Sequence, residues 1–196
     1  MISLLNNFEA MEIFREGKTD EIQNFSDKNS KELLMKLKPN SLTELCAIYS
    51  LNRNIAEKNF VEYCKNRLNE TEIKYVHPIL EKHLKETFGV IIYSEQIENI
   101  LQDLANISKK ESYKIRYELG KRNPNVLDKY FKKFENGCLK NQDFLNQCIL
   151  IKKDFKNSIK EIWNLINDKI IETISFAHVI NSVSESYVQA LEISRN

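Results

Sequence analysis

The stretch LKETFGVIIYSEQIENILQDLANISKKESYKIRYELGKRNP, residues 84–124, decides the fold. After Ser94, apolar residues recur at steps of three and four, a spacing that predicts an amphipathic helix with one stripe facing a core. Ser94 is the expected N-cap, and Glu95 in the first turn suits the positive end of the helix dipole. The residues of this stripe are Ile97, Ile100, Leu101, Leu104 and Ile107.

Two glycines divide the rest of the stretch. Gly89 follows an apolar periodic run, at a point where a helix end requires the left-handed backbone that glycine tolerates. Residues 90–93 could then form a short extended piece. Ser108 restarts the helical pattern as a second N-cap, with Glu111 at capping-box spacing, and this helix stops at Gly120. The sequence therefore predicts a helix, a turn and two more helices.

Positive charge is concentrated from the second of these helices onward. Residues 109–133 contain nine Lys or Arg against three Asp or Glu, in a chain whose formal net charge is +1. A helix that ends in Gly120, Lys121 and Arg122 suits phosphate contact, because Arg offers a planar fork of donors and Lys a mobile point charge. A solvated helix face carries the same charge pattern, so both interpretations stay open at this point.

The composition predicts an all-α fold with few or no strands. The chain has four Gly and three Pro in 196 residues, which favours helices joined by short connections. We predict a single domain over residues 1–196, with N-terminal helices in 1–78, the main helices in 79–196, and about eight to ten helices in total. The helix that follows Pro124 is expected to end at Gly137.

The cysteines predict a reducing compartment. Cys46, Cys64, Cys138 and Cys148 form no CxxC pair and have no neighbouring His at metal-ligand spacing. We therefore expect four reduced thiols in a cytoplasmic protein, with no metal and no cofactor. The N-terminal sequence lacks the basic and long apolar regions of a secretion signal, and no run of 18 apolar residues occurs, so secretion and membrane spanning are both disfavoured.

Two motifs in the quoted stretch resemble the fingers of a known polymerase. FGVIIYSEQ at residues 88–96 and RYELGKRNP at 116–124 are similar to Tyr-Gly-Val-Ile-Val-Tyr-Gln-Glu-Gln and Arg-Arg-x-Met-Gly-Lys-Lys-x-Pro of the bacterial DNA polymerase III alpha subunit, a C-family replicative polymerase. The second arginine of the family pair is Tyr117 here. The motif positions retained in this sequence include Gly89, Tyr93, Glu95, Gln96, Gly120 and Pro124.

Shorter resemblances extend toward both ends of the chain, from about Phe8 to Ile193. Arg53 aligns with the arginine of the family's Ala-Leu-Tyr-Arg-Pro-Gly-Pro, although the prolines and glycine that follow are missing. His77 falls in the family's Tyr-Pro-His-Pro, where we expect it to pack or cap rather than to act as a catalyst. His178 is retained near the C-terminus, but Phe176 replaces the family lysine two residues earlier.

The resemblance implies a fingers-like domain related to bacterial DNA replication. It also implies contacts with the phosphates of DNA or dNTPs. Three functions stay open: a nucleic-acid or nucleotide-binding module, a regulatory protein that docks on replisome proteins, and the fingers half of a split polymerase whose palm belongs to a separate chain. The expected phosphate-binding residues are Arg53, Lys114, Arg116, Lys121, Arg122 and His178.

We expect no template-directed synthesis from the purified chain. Nucleotidyl transfer requires carboxylates that hold two metal ions, and in this polymerase family those aspartates belong to the palm. No Asp-x-Asp pair occurs anywhere in the sequence. A primed template with dNTPs and Mg²⁺ should therefore gain no nucleotide. Incorporation above a heat-killed control that survives re-purification of the chain would contradict this expectation.

Overall fold

The computed structural model describes residues 7–54, 57–69 and 72–195, and within these ranges the fold is all-α, as predicted. The helices are α1 (Phe8–Arg15), α2 (Lys28–Leu37), α3 (Leu42–Asn54), α4 (Glu57–Arg67), α5 (Glu81–Leu84), α6 (Ser94–Ala105), α7 (Lys109–Gly120), α8 (Pro124–Cys138), α9 (Gln142–Leu150), α10 (Phe155–Lys169) and α11 (Phe176–Ile193). These eleven exceed the expected eight to ten, partly because α5 is a single turn of four residues. None of the described helices is long and apolar enough to cross a membrane.

The chain divides into two compact units. Helices α1 to α4 and α11 belong to the first unit, which comprises Met1–Glu72, Glu86–Ile92 and Ile174–Asn196. Helices α5 to α10 belong to the second unit, which comprises Ile73–Lys85 and Tyr93–Thr173. The single domain expected over residues 1–196 stays a prediction.

In the first unit, the C-terminal helix α11 packs against α1 and α3. The ring of Phe14 on α1 lies parallel to that of Tyr187 on α11, with 6.2 Å between the centroids, and edge-on to Phe25 at 5.3 Å. The Tyr187 hydroxyl accepts the backbone N–H of Asn7 at 2.9 Å, which satisfies a polar group that would otherwise be costly to bury. The two ends of the chain thus share one aromatic core.

The turn that contains Gly89 also belongs to the first unit. Gly89 has φ +87° and Phe88 has φ +49°, so the left-handed backbone expected at Gly89 is confirmed and extends to its neighbour. Asn66 donates its side-chain N–H to the Phe88 carbonyl at 2.7 Å. No strand forms at residues 90–93 in the described structure, although the Ile174 N–H donates to the Ile92 carbonyl at 3.1 Å.

In the second unit, α6 forms the centre of the core. All five residues of the predicted stripe are buried, four of them on α6 and Ile107 just after its end, and the helix packs against α7 and α8. Trp163 on α10 is also buried, with its ring 5.8 Å from that of Phe131 and 5.4 Å from that of Phe134. The periodicity of the sequence therefore located this core.

The start of α6 differs by one residue from the prediction. Tyr93, not Ser94, is the N-cap, because the Tyr93 N–H donates to Oε1 of Gln96 at 2.9 Å. Gln96 Nε2 in turn donates to the His83 carbonyl at 3.2 Å. The Ser94 hydroxyl instead donates to Glu95 Oε2 at 3.1 Å. Gln96 of the polymerase-like motif thus has a structural role in this chain.

The predicted capping box at the start of α7 does not form, although the predicted N-cap position is correct. Ser108 is the N-cap residue, as expected, but its side chain makes no capping hydrogen bond. The Glu111 carboxylate, which the pattern assigned to the cap, instead forms an ion pair with Lys133 on α8. The Glu111 carboxylate therefore pairs with a residue on another helix rather than with the N-cap of its own helix.

Gly137 does not end α8, contrary to the prediction. The helix continues to Cys138, and Gly137 lies where α8 passes the C-terminal end of α6. A Cβ at this position would lie 2.6 Å from the Cα of Ala105 and closer still to the Ala105 carbonyl oxygen. Gly137 is therefore required for the close approach of the α8 and α6 backbones. Glycine within a helix makes the helix less stable than alanine would.

His77 packs and caps, as expected. It is fully buried, and its Nδ1 accepts the backbone N–H of Ile79 at 3.3 Å, which caps the 3₁₀ turn Pro78–Leu80. Its Nε2 lies 3.3 Å from Cys148 Sγ.

The four cysteines are free and buried, and among the described residues no group of three or more His, Cys, Asp or Glu is arranged to hold a metal ion.

Candidate nucleic-acid interface

The six cationic residues expected to bind phosphate are divided between the two units. Arg53 lies in the last turn of α3 and His178 near the start of α11, both in the first unit and both exposed. The second unit holds a cluster on α7 and the turn after it: Lys114, Arg116, Lys121 and Arg122. Only these four share one element of the fold.

Arg116 is tied to the neighbouring helix. Its Nε donates to Glu98 Oε1 on α6 at 2.6 Å, and the two side chains are only 23% and 13% exposed. The guanidinium carbon also lies 5.0 Å from the centroid of the Tyr113 ring. Arg116 therefore already has a carboxylate partner, and its main contribution in this structure is to hold α7 against α6.

We expect Arg116→Ala to lower the free energy of unfolding by about 1–2 kcal/mol, more than an exposed ion pair contributes, because it leaves the Glu98 carboxylate largely buried without its partner. Urea unfolding of Arg116→Ala, Glu98→Gln and the double variant would measure the coupling between the two side chains. We expect the double variant to lose less than the sum of the single losses. Strictly additive losses would show that the pair contributes nothing.

The turn after α7 is bent at Arg122 rather than at Gly120. Gly120 is the last residue of α7, as predicted, but Arg122 is the residue with the left-handed backbone, at φ +52°. Its N–H donates to the Leu119 carbonyl at 2.9 Å, which satisfies one of the free carbonyls at the helix end. A Cβ on Gly120 would meet no atom within 4 Å. The hydrogen bond to Leu119 thus holds the backbone of Arg122 in place, while the Arg122 side chain is exposed to solvent.

The remaining cations of this cluster are available at the surface. Lys121 Nζ lies 3.1 Å from Glu118 Oε1, and this carboxylate raises the pKa of Lys121. The Lys121 side chain is nevertheless 49% exposed. Lys114 and Arg122 are exposed and form no ion pair with any residue that the structure describes. Two unpaired cations and one exposed paired cation can therefore meet a phosphate here.

Two exposed tyrosines on α7 were missed by the sequence argument. Tyr113 is 56% and Tyr117 is 53% exposed, and residues four apart lie on the same face of a helix. In the sequence, Tyr117 stands out only as the replacement of an arginine. The available signal was the position of both tyrosines outside the buried stripe, which consists of Ser112, Ile115 and Leu119.

A lysine-lined groove beside α8 was also not predicted as a site. Its volume is about 830 Å³. Lys133 is paired with Glu111, whereas Lys132 and Lys140 form no ion pair within the described chain. Four lysines against one aspartate line it, and a concave surface with an excess of positive charge concentrates anions. The lining residues are Asp103, Ala105, Asn106, Lys129, Lys132, Lys133, Asn136, Gly137, Lys140 and Asn141.

Arg53 has a local partner. Its Nη1 donates to the Tyr49 hydroxyl one turn earlier at 2.8 Å, and its guanidinium carbon lies 4.7 Å from the centroid of the same ring. Its place in the last turn of α3 also suits the negative end of the helix dipole. The contacts of Arg53 are thus those of a helix-end residue, and a phosphate contact from this position stays a prediction.

Comparison with known proteins points to one family. The family described as bacterial DNA polymerase III alpha subunit finger domain matches residues 4–142. DNA polymerase III subunit alpha of Aquifex aeolicus (strain VF5) is 31% identical over 137 residues, and that of Staphylococcus aureus (strain Mu50 / ATCC 700699) is 33% identical over 132 residues. These alignments cover 69% and 67% of this chain but 12% of each relative. The family match ends before α10 and α11, so the role of His178 stays a prediction.

Proposed function

Because the chain belongs to the bacterial DNA polymerase III alpha subunit finger domain family, we propose that it serves DNA replication by binding the phosphates of DNA or dNTPs. The binding surface is α7 with the turn after it. The observation that carries this proposal is the exposure of Lys114, Lys121 and Arg122 on this one element. The proposed role places the protein in the bacterial cytoplasm, where its buried thiols would stay reduced.

The chemistry of these three residues suits a phosphodiester backbone. Arg122 offers a planar fork of donors, and Lys114 offers a mobile ammonium. Lys121 has three N–H donors and directs one of them to the Glu118 carboxylate, so its exposed ammonium can also contact a phosphate. Contacts with phosphates position a strand without reading its bases. We therefore expect binding with little sequence preference.

Salt dependence tests this function directly. Fluorescence anisotropy with labelled single-stranded and primed DNA should show binding at low salt, and a dNTP titration should report whether free nucleotides compete. Three phosphate contacts on a single strand predict that the logarithm of the association constant falls with the logarithm of salt with a slope of roughly −2. No binding at low salt, or an affinity that does not change with salt, would contradict the proposal.

A docking function is the second candidate, and an apolar tip favours it. Ile149, Leu150 and Ile151 are 62%, 79% and 36% exposed at the end of α9. The loss of family cations at Tyr117 and Phe176 points the same way. If the protein docks on the replicase, a pull-down with the parent should recover replisome proteins, and a pull-down with the Leu150→Asp variant should not.

The split polymerase is tested separately. If this chain is the fingers half, adding a separate palm-containing chain should produce DNA synthesis.

A further inference from the structure

The same arrangement of a carboxylate, a cation and a tyrosine ring occurs twice along α7 and the turn after it, with one of the carboxylates supplied by α6. Arg116 lies between the Glu98 carboxylate, at 2.6 Å, and the Tyr113 ring, at 5.0 Å from its centroid. One turn further on, Lys121 lies between the Glu118 carboxylate, at 3.1 Å, and the Tyr117 ring, at 4.1 Å. In both cases a carboxylate holds a cation and the cation holds an exposed aromatic ring.

This arrangement orders two rings without burying them. A cation near an aromatic ring is attracted by the negative face of the ring, and the carboxylate partner restricts where the cation can lie. Tyr113 and Tyr117 nevertheless remain more than half exposed. Their spacing of four residues places the Cβ atoms about 5–6 Å apart on one helix face. We call these two residues the tyrosine pair.

An ordered and exposed aromatic pair amid cations suits single-stranded nucleic acid. Proteins that bind single strands combine positive charge along the backbone with aromatic side chains on which successive bases stack. The α7 surface offers both, since Lys114, Lys121 and Arg122 are exposed on the same element as the tyrosine pair. A paired base inside a duplex offers no free face to such a ring. The surface therefore favours unpaired bases.

We propose that the tyrosine pair stacks on two bases of a single-stranded nucleic acid whose phosphates are held by Lys114, Lys121 and Arg122. This inference rests on the proposed function and deepens it from phosphate binding to recognition of single strands. At position 117, the family's second arginine would add a charge for phosphate, whereas tyrosine adds a face for a base. Stacking is sequence-tolerant because every base has such a face.

The test compares two labelled oligomers of equal length, oligo-dT and an abasic strand with the same number of phosphates, by fluorescence anisotropy at low salt. The variants are Tyr113→Ala/Tyr117→Ala and, as the matched control, Tyr113→Phe/Tyr117→Phe, which keeps both rings. We expect the parent and the Phe variant to bind oligo-dT more tightly than the abasic strand. The Ala variant should lose about fivefold affinity or more for each tyrosine on oligo-dT, and keep the parent's affinity for the abasic strand.

The possible results distinguish a failure of base stacking by the tyrosine pair from a failure of the proposed phosphate binding. Salt-dependent parent binding with equal affinity for both strands would overturn stacking while leaving phosphate binding intact. No binding to either strand would overturn both. Oligo-rU serves as a further arm, and affinity equal to that for oligo-dT is expected because an aromatic ring stacks on the base rather than on the 2′-hydroxyl that distinguishes RNA. Loss of oligo-dT binding in the Phe variant would assign the effect to the hydroxyl groups and contradict stacking.

Discussion

Replacing Gly137 with alanine is expected to lower the free energy of unfolding by about 3 kcal/mol or more, at the upper end of the cost of overpacking a core. The added Cβ would lie 2.6 Å from the Cα of Ala105, a distance that real Cβ atoms essentially never show. The obstacle is the backbone at the end of α6 rather than a flexible side chain. Relief therefore requires α8 and α6 to separate, and α6 is the centre of the core of the second unit.

Gly120→Ala is the matched control for this prediction. It is the same substitution in another helix of the same unit, at a position where the new Cβ meets no atom within 4 Å. Because alanine is the better helix former, this variant should equal the parent or gain up to about 1 kcal/mol. Urea unfolding followed by Trp163 fluorescence measures both. A Gly137→Ala variant as stable as the parent would show that α8 does not approach α6 as described.

Patterns within one helix were readable from the sequence. The stripe from Ile97 to Ile107 was predicted from spacing alone, and all of its residues are buried. The left-handed backbone at Gly89 was predicted from the end of an apolar run. Both features depend on neighbours within a few residues, because helical periodicity and helix ends are local properties. Local rules therefore established the all-α fold and the position of the core.

Contacts between distant residues could not be read in the same way. Gly137 looked like a helix end, since nothing in its own helix indicates that Ala105 lies against it. Arg116 looked like a phosphate ligand, whereas Glu98 lies 18 positions away and holds its guanidinium. Tertiary packing decided each of these positions.

The positive charge of the candidate site was visible in the sequence, whereas the exposure of its side chains was not. The excess of Lys and Arg in residues 109–133 is visible in the sequence and includes α7 and the following turn. Exposure separates Lys114, Lys121 and Arg122 from the partnered Arg116, and exposure follows from how α7 packs. The tyrosine pair and the lysine-lined groove depend on the same packing. Neither the tyrosine pair nor the groove can be predicted from a count of charges.

Neutralising the three exposed cations together is expected to remove most nucleic-acid binding. The variant Lys114→Ala/Lys121→Ala/Arg122→Asn keeps Arg116 and its ion pair intact, and asparagine tolerates the left-handed backbone at position 122. Removing phosphate contacts weakens binding to all sequences alike and reduces the salt slope on a single strand by about 0.7 for each cation lost. We expect roughly tenfold or greater loss of affinity at low salt. Stability should change little, because these charges are exposed.

The matched control is Lys152→Asn/Lys156→Ala/Lys160→Ala. It removes three positive charges from the same unit, at exposed positions in and before α10. Lys152 has φ +54°, so its replacement by asparagine reproduces the substitution at Arg122. If only net charge matters, the two variants will lose affinity equally. If α7 and the turn after it form the binding surface, the control will stay close to the parent.

Binding at α7 and the turn after it is tested by the anisotropy of labelled single-stranded DNA with the parent, the neutralised variant and this control, each titrated at several salt concentrations. We expect salt-dependent binding for the parent and the control, and a weaker, less salt-dependent association for the neutralised variant. Equal affinity and equal salt slope for all three proteins would show that these three cations do not bind DNA.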